Sequence, residues 1–201
     1  SRNNGVRARL LIFGVLAAAA LILCSFFSER LTPYDPYLQD LTIAKQAPSA
    51  EHLLGTDRYG RDMLSRVVAG SRASIFSTLL LVAVTAILGT VVGVLCGWVG
   101  GMTDTVLMRV SDVFLAFPGL VFALAVAGTL GGGLQNAMIA LAAISWPKYA
   151  RIARSQTLSQ KETQWMKAVR LSGSGTGKII LKHILPNILG PILVTSVLDI
   201  G

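Results

Sequence analysis

Charged residues are missing from this chain in long blocks. Leu10 to Phe27 is uncharged for 18 residues, Ala73 to Thr103 for 31 and Val113 to Pro147 for 35, and Ile184 to Ile200 opens a further apolar stretch. A span of 18 residues reaches roughly 27 Å as a helix, close to the thickness of a hydrocarbon core. The 35-residue block is too long for one comfortable helix. Gly128-Thr-Leu-Gly-Gly-Gly133 divides it into spans at about 113–130 and 134–150. The pattern predicts an all-α, polytopic helical bundle with five spans in view: 10–27, one within 73–103, 113–130, 134–150 and one from 184 onward. Pro118 is expected to kink the third span near its start.

The segments between the blocks orient the path. The tail before Leu10 carries Arg2, Arg7 and Arg9 with no acid. Glu29 to Arg72 has six acids and six bases, and Pro33, Pro36 and Pro48 make its first half loop-like. Asp62 to Arg72 reads as an amphipathic helix leading into the membrane. Lys148 to His183 holds eight bases against Glu162 alone. Lys and Arg accumulate on the cytoplasmic side, so the tail and the basic loop are placed inside and the neutral segment outside. The Thr103–Asp112 connector, inside by this count, gives no charge support. A cleaved signal peptide at 10–27 is the alternative to a first span, but the flank Ser28-Glu-Arg-Leu-Thr-Pro33 lacks a small-x-small cleavage pattern. The organisation expected is a tail, first span and outer segment at 1–72, then a core domain at 73–201. The absence of an initial Met implies that the native start lies elsewhere.

Composition agrees. The chain is 53% hydrophobic and 14% charged, against roughly 25% charged in soluble domains. The net charge of +8 is concentrated in the basic loop, which topology and anionic headgroups explain without nucleic acid. Cys24 and Cys96 fall in apolar runs and read as small hydrophobic filler.

Chemistry is sparse. The spans are read as free of ionisable residues in their interiors, which argues against a proton-coupled carrier. Ser172-Gly-Ser-Gly-Thr-Gly-Lys178 superficially resembles a phosphate loop. Ser172 stands in the first Gly position, however, and Ile179 replaces the magnesium-binding hydroxyl. No metal-ligand spacing and no nucleophile–base–acid set is present, so no catalytic, cofactor or metal residue is assigned. Gly89, Gly93 and Gly97 recur every four residues, a spacing that lets another backbone approach one helix face in lipid. Gln164 to Ser172 places Trp165, Ala168, Val169 and Ser172 on one stripe of a short amphipathic helix. Gly173 ends it, and Lys178 to Leu185 resumes as helix up to Pro186. Such a knob suits docking in a partner's groove; an interfacial helix on lipid is the alternative.

Lys167-Ala-Val-Arg-Leu-Ser-Gly173 followed by His183-Ile-Leu-Pro-Asn187 resembles the cytoplasmic loop of bacterial ABC importer permeases. Lys167 stands where that loop usually has Glu, and Val169 where it has a second Ala. Leu54-Gly-Thr-Asp-Arg-Tyr-Gly-Arg-Asp62 with Ser65-Arg66, and Gly97-Trp-Val-Gly-Gly101 with Asp104, Met108-Arg109, Asp112 and Phe117-Pro118, narrow the resemblance to the second permease subunit of the dipeptide, oligopeptide and nickel branch. It covers about residues 30–201.

The resemblance implies a multi-pass inner-membrane subunit with its N-terminus in the cytoplasm and a sixth span beyond Gly201. It implies a sister permease, two cytoplasmic ATPases that hold the ATP and magnesium, and an extracytoplasmic solute-binding protein. It also implies an ATPase-coupling loop within 151–183, carried by Trp165, Lys167, Ala168, Arg170, Gly173, Ser174 and Gly175. Packing and bending would fall to Gly89, Gly93, Gly97 and Pro118. Arg170-Leu-Ser-Gly-Ser-Gly175 and Leu198-Asp-Ile-Gly201 resemble the nickel members more than the dipeptide ones, so the cargo expected is nickel or a nickel chelate, with di- and oligopeptides as the alternative. A non-transporting membrane scaffold and a nucleotide-binding membrane enzyme are the rival classes.

Overall fold

The computed structural model describes Ile22 and residues 25–200. The expected first span falls almost wholly outside them. Two compact units divide the chain, Ser1–Ser77 and Thr78–Gly201.

In the first unit a single helical turn, Ser28–Leu31, and a 3₁₀ turn, Leu41–Ile43, are followed by a loop that folds back on itself. Thr56 and Asp62 form an isolated antiparallel bridge. Between them Asp57 organises a tight turn. Its Oδ1 accepts the backbone N–H groups of Tyr59 at 2.8 Å and Arg61 at 3.1 Å, and its Oδ2 accepts Arg61 Nε at 2.8 Å. Arg66 pairs with the same oxygen. Gly55 and Gly60 have φ of +71° and +73°, and a β-carbon on Gly60 would overlap the Asp40 carbonyl. Asp62 closes the loop. Its Oδ2 accepts the N–H of Ser65 at 2.7 Å, an N-terminal cap for the helix that follows, and its Oδ1 meets His52 Nδ1 at 3.0 Å. The Leu54–Asp62 motif is therefore the scaffold of this loop.

Helix α1 (Met63–Val99) begins directly after that cap. The helix expected at 62–72 is the first part of it: no turn interrupts the chain at Gly70 or Arg72, and one helix of 37 residues results. At 1.5 Å per residue it is roughly 55 Å long. Gly100 and Gly101, at φ of +71° and +58°, make the turn into α2 (Gly101–Ala116). The expected Thr103–Asp112 connector is thus helical.

The expected span at 113–130 is instead two helices. α2 ends at Ala116, α3 runs Gly119–Thr129, and they meet at 88°. Pro118 breaks the chain rather than kinking it. It lacks an N–H, and it holds Phe117 extended at φ −86°, ψ 141°. The glycine run 131–133, all at positive φ, then leads to α4 (Leu134–Lys161). α4 passes through a buried Pro147 and carries the expected 134–150 span well beyond its end.

α5 (Gln164–Leu171) is the short amphipathic helix. α6 (Thr176–Ile200) follows, α-helical except for a π turn at Ile180–Ile184. Pro186 was expected to stop this helix and does not. The wider turn just before it relieves the clash of the ring with the preceding carbonyls, and the His183 carbonyl accepts Asn187 Nδ2 at 2.8 Å.

Among the described residues α1 and α6 are long and apolar enough to cross a membrane, and a third span is added if α2 and α3 count as one broken span. The count of five is not reproduced. The 134–150 stretch belongs to a helix whose second half carries Lys148, Arg151 and Arg154, and the first span lies outside the described residues.

Candidate functional site

The second unit is built around a seam between α1 and α4. Gly89, Gly93 and Gly97 face α4 one turn apart. A β-carbon on Gly89 would stand 2.5 Å from both the Trp146 carbonyl oxygen and Tyr149 Cβ. On Gly93 it would stand 2.7 Å from Ala153 Cβ, and on Gly97 2.8 Å from Thr157 Cβ. Small residues on both sides, with Ala150 and Ala153 fully buried, let the two backbones touch. Cys96 is a buried free thiol on the same helix.

Continuous with the seam is a core of Val94, Tyr149, Ala153, Met166, Ile179, Ile184, Ile188 and Ile192. Met166 is the anchor of α5. Its side chain is completely buried and ties the short helix to both α4 and α6. The stripe expected on this helix, Trp165, Ala168, Val169 and Ser172, lies largely on its outer side, with Trp165, Ala168 and Ser172 exposed and Val169 half-buried. Met166 was not singled out, because the apolar Trp165, Val169 and Leu171 stand beside it on the same short helix.

The outer surface of α5 and the following turn is therefore free for a partner. Lys167, Ala168, Arg170, Leu171, Ser172, Gly173 and Gly175 are all exposed, and Leu171 is 89% exposed. The turn is fixed from within. Gly173, at φ +76°, donates its N–H to the Arg170 carbonyl at 3.1 Å, and Ser174 Oγ lies 3.4 Å from Ser172 Oγ. Trp165 leans on the His183 ring with centroids 5.9 Å apart. Arg170 stacks over Trp98 at 4.6 Å, while Lys161 Nζ donates to the Trp98 carbonyl at 2.7 Å and to that of Gly97 at 3.4 Å. A cation thus satisfies the last carbonyls of α1. The glycine turn joins two helices, with no strand among the described residues to precede it, so the phosphate-loop reading gains no support.

The basic segment is not an open loop. Lys148, Arg151 and Arg154 sit on α4, and each meets an acid from another helix. Arg154 is held by both oxygens of Asp104, at 2.5 and 2.6 Å, and Arg151 by Asp112 at 2.6 Å. Lys148 pairs with Asp199, whose second oxygen accepts the Tyr149 hydroxyl at 2.8 Å. Asp199 lies within α6, which corrects the reading that the spans hold no ionisable residue. Opposite charges far apart in sequence found one another, a pairing that spacing alone does not reveal. Among the described residues no group of three or more His, Cys, Asp or Glu side chains could hold a metal ion.

Residues 89–201 match the family described as the binding-protein-dependent transport system inner membrane component. The probable D,D-dipeptide transport system permease protein DdpC of Escherichia coli strain K12 is 39% identical over 192 residues, covering 96% of this chain and 64% of the relative. The dipeptide transport system permease protein DppC of Alkalihalophilus pseudofirmus is 37% identical, covering 96% of this chain and 64% of that protein. The nickel transport system permease protein NikC of Escherichia coli strain K12 is 38% identical over 201 residues, covering all of this chain and 71% of the relative. The chain thus spans under two thirds of the length of the first two.

Proposed function

The chain belongs to the family of binding-protein-dependent transport system inner membrane components, and from that premise we propose that it is one of two membrane-spanning subunits of an ATP-driven importer. The assembly it implies has a sister permease beside it, two cytoplasmic ATPases below and a solute-binding protein outside. This chain contributes half of a solute path and no ATPase site of its own; ATP and magnesium stay on the partner subunits. It lies in the inner membrane with its N-terminus in the cytoplasm. The cargo belongs to the small charged solutes, nickel species or short peptides, that its relatives' names include.

The observation that carries this reading is α5. It is a helix pinned from below by the buried Met166, while its exposed outer face and glycine turn project away from the bundle. Because α5 is joined to α4 before it and to α6 after it, a push on α5 is delivered to both helices. ATP drives the cycle only if the ATPases hold the two arrangements of these helices with different affinity. The seam at Gly89, Gly93 and Gly97 and the break at Pro118 are where the helices slide and bend.

The test is reconstitution of the chain with its four partner subunits in vesicles. ATP-dependent uptake is expected, and Gly173→Val is expected to leave hydrolysis running while uptake falls. A membrane scaffold would give no uptake from the intact assembly.

A further inference from the structure

The Lys148–Asp199 pair sits where a pair of charges must be explained. Lys148 lies fourteen residues into α4, roughly 21 Å from its start, and Asp199 lies in a helix apolar enough to span a membrane. Around Asp199 the surface of α6 is apolar, with Val194, Val197 and Leu198 each more than 60% exposed. The pair itself is open, the Lys148 side chain being 50% exposed and that of Asp199 26%. Charges of this kind do not face acyl chains, and they turn to protein or to a water-filled cavity.

Resting on the permease reading, we propose that Lys148 and Asp199 line the solute path and form a subsite for a small zwitterion, a free peptide bearing one ammonium and one carboxylate. The two partners are held differently. Asp199 has a second hydrogen bond, from the Tyr149 hydroxyl at 2.8 Å, that fixes it against α4. Lys148 is a long, flexible side chain and is the member free to swing. An entering peptide places its ammonium on Asp199 and its carboxylate on Lys148. One ion pair is exchanged for two, and no charge is left alone in a medium where an unpaired charge is costly. A divalent cation would take Asp199 and leave Lys148 unpaired beside it. A peptide with both ends blocked would satisfy neither. Tyr149 is a positioning residue here. α4 and α6, which carry the subsite, are also the helices that flank α5, so docking events and solute contacts act on the same two elements.

The experiment uses the complete transporter in lipid nanodiscs without the solute-binding protein, so that selectivity belongs to the membrane subunits. Radiolabelled dialanine is the probe. It is expected to be displaced by unlabelled dialanine but not by N-acetyl-dialanine amide or nickel chloride. Lys148→Met and Asp199→Asn are each expected to weaken binding about tenfold or more, the scale of a lost hydrogen bond to a charged group. Exchanging the charges, Lys148→Asp with Asp199→Lys, is expected to recover most of the loss.

Displacement by nickel chloride, equal competition by the blocked peptide, absence of dialanine binding, or wild-type binding in both single variants would overturn the proposal. The wild-type competition stands even if a variant fails to assemble. No dialanine binding in nanodiscs, alongside ATP-dependent uptake of nickel or dialanine by the complete five-subunit assembly in vesicles, removes this inference alone. No uptake of either in those vesicles removes the permease reading with it.

Discussion

Gly93 and Ala153 meet so closely that a β-carbon added to the glycine would stand 2.7 Å from the alanine methyl, with the Arg154 backbone nitrogen 2.9 Å away. Backbone on one side and a rigid methyl on the other leave nothing to swing aside. Gly93→Val is therefore expected to force α1 and α4 apart, at a cost of about 2 kcal/mol or more by analogy with overpacked cores. The check is thermal unfolding of the detergent-purified chain or complex. Gly190→Ala is the control, since nothing lies within 4 Å of a β-carbon there. Equal melting temperatures for the two variants would remove the seam from this account.

Met166 and Leu171 sit on one short helix with opposite surroundings, fully buried and 89% exposed. Met166→Ala is expected to cost roughly 2–5 kcal/mol of stability through the cavity it leaves. Leu171→Ala is expected to leave the melting temperature within a degree or so, because surface substitutions are usually small in effect. On the docking proposal Leu171→Ala instead weakens ATPase association, read by co-purification of the ATPase subunits. Unchanged co-purification would move the docking surface elsewhere.

The loop at 33–62 should loosen in acid. Asp62 is partly desolvated, which opposes ionisation, but the Ser65 N–H and His52 outweigh this and hold its carboxyl below the ordinary 3.8. Asp57 is lowered further; burial again opposes, and hydrogen bonds from Arg61 and Tyr59 win. A carboxylate lowered on folding stabilises fully above its unfolded value, and that contribution is lost as pH falls through the lowered value. Protease sensitivity of residues 33–62 is thus expected to be flat from neutral pH to about 4 and to rise only below it. Asp62→Asn is expected to raise sensitivity at neutral pH and flatten the acid response. A transition centred near neutrality would contradict the assignment.

How far the sequence could be read follows from which interactions are local. Turns at Gly100–Gly101 and Gly131–Gly133, and the end of α5 before Gly173, were legible because a glycine run announces its own backbone freedom. The start of α1 was legible too, as a helix beginning at Asp62, but its length was not, because nothing local marks that the charged turns to Arg72 and the apolar block after them form one helix to Val99. Pro186 shows a converse failure. Proline ends helices by removing a donor, but a π turn upstream absorbed the loss, and nothing in the composition of Ile180–Ile184 signals that. The charged α4 was misread as a loop for a similar reason. Its neutralising acids Asp104, Asp112 and Asp199 arrive from helices 39 to 51 residues away in sequence, and only the fold brings them together.

Lys167 offers the sharpest separation of shape from charge at the docking surface. Its side chain is exposed on α5 at the position where the resembling permease loops usually carry Glu. If docking depends on the form of the helix and its glycine turn, Lys167→Glu changes only an exposed side chain, and uptake by the reconstituted assembly is expected to stay within about twofold. Surface charge pairs are worth about 1 kcal/mol or less, so a moderate change would still be compatible with a shape-driven fit. Gly173→Val acts on the backbone instead. At φ +76° a β-branched side chain is strained, and the turn that carries Ser174 and Gly175 must move. Uptake per ATP hydrolysed is expected to fall at least about tenfold in that variant, since a mispositioned coupling element acts on the step rather than on a single contact. Loss of uptake with Lys167→Glu alongside normal uptake with Gly173→Val would invert the order, and would place recognition in the charge of α5 rather than in its turn.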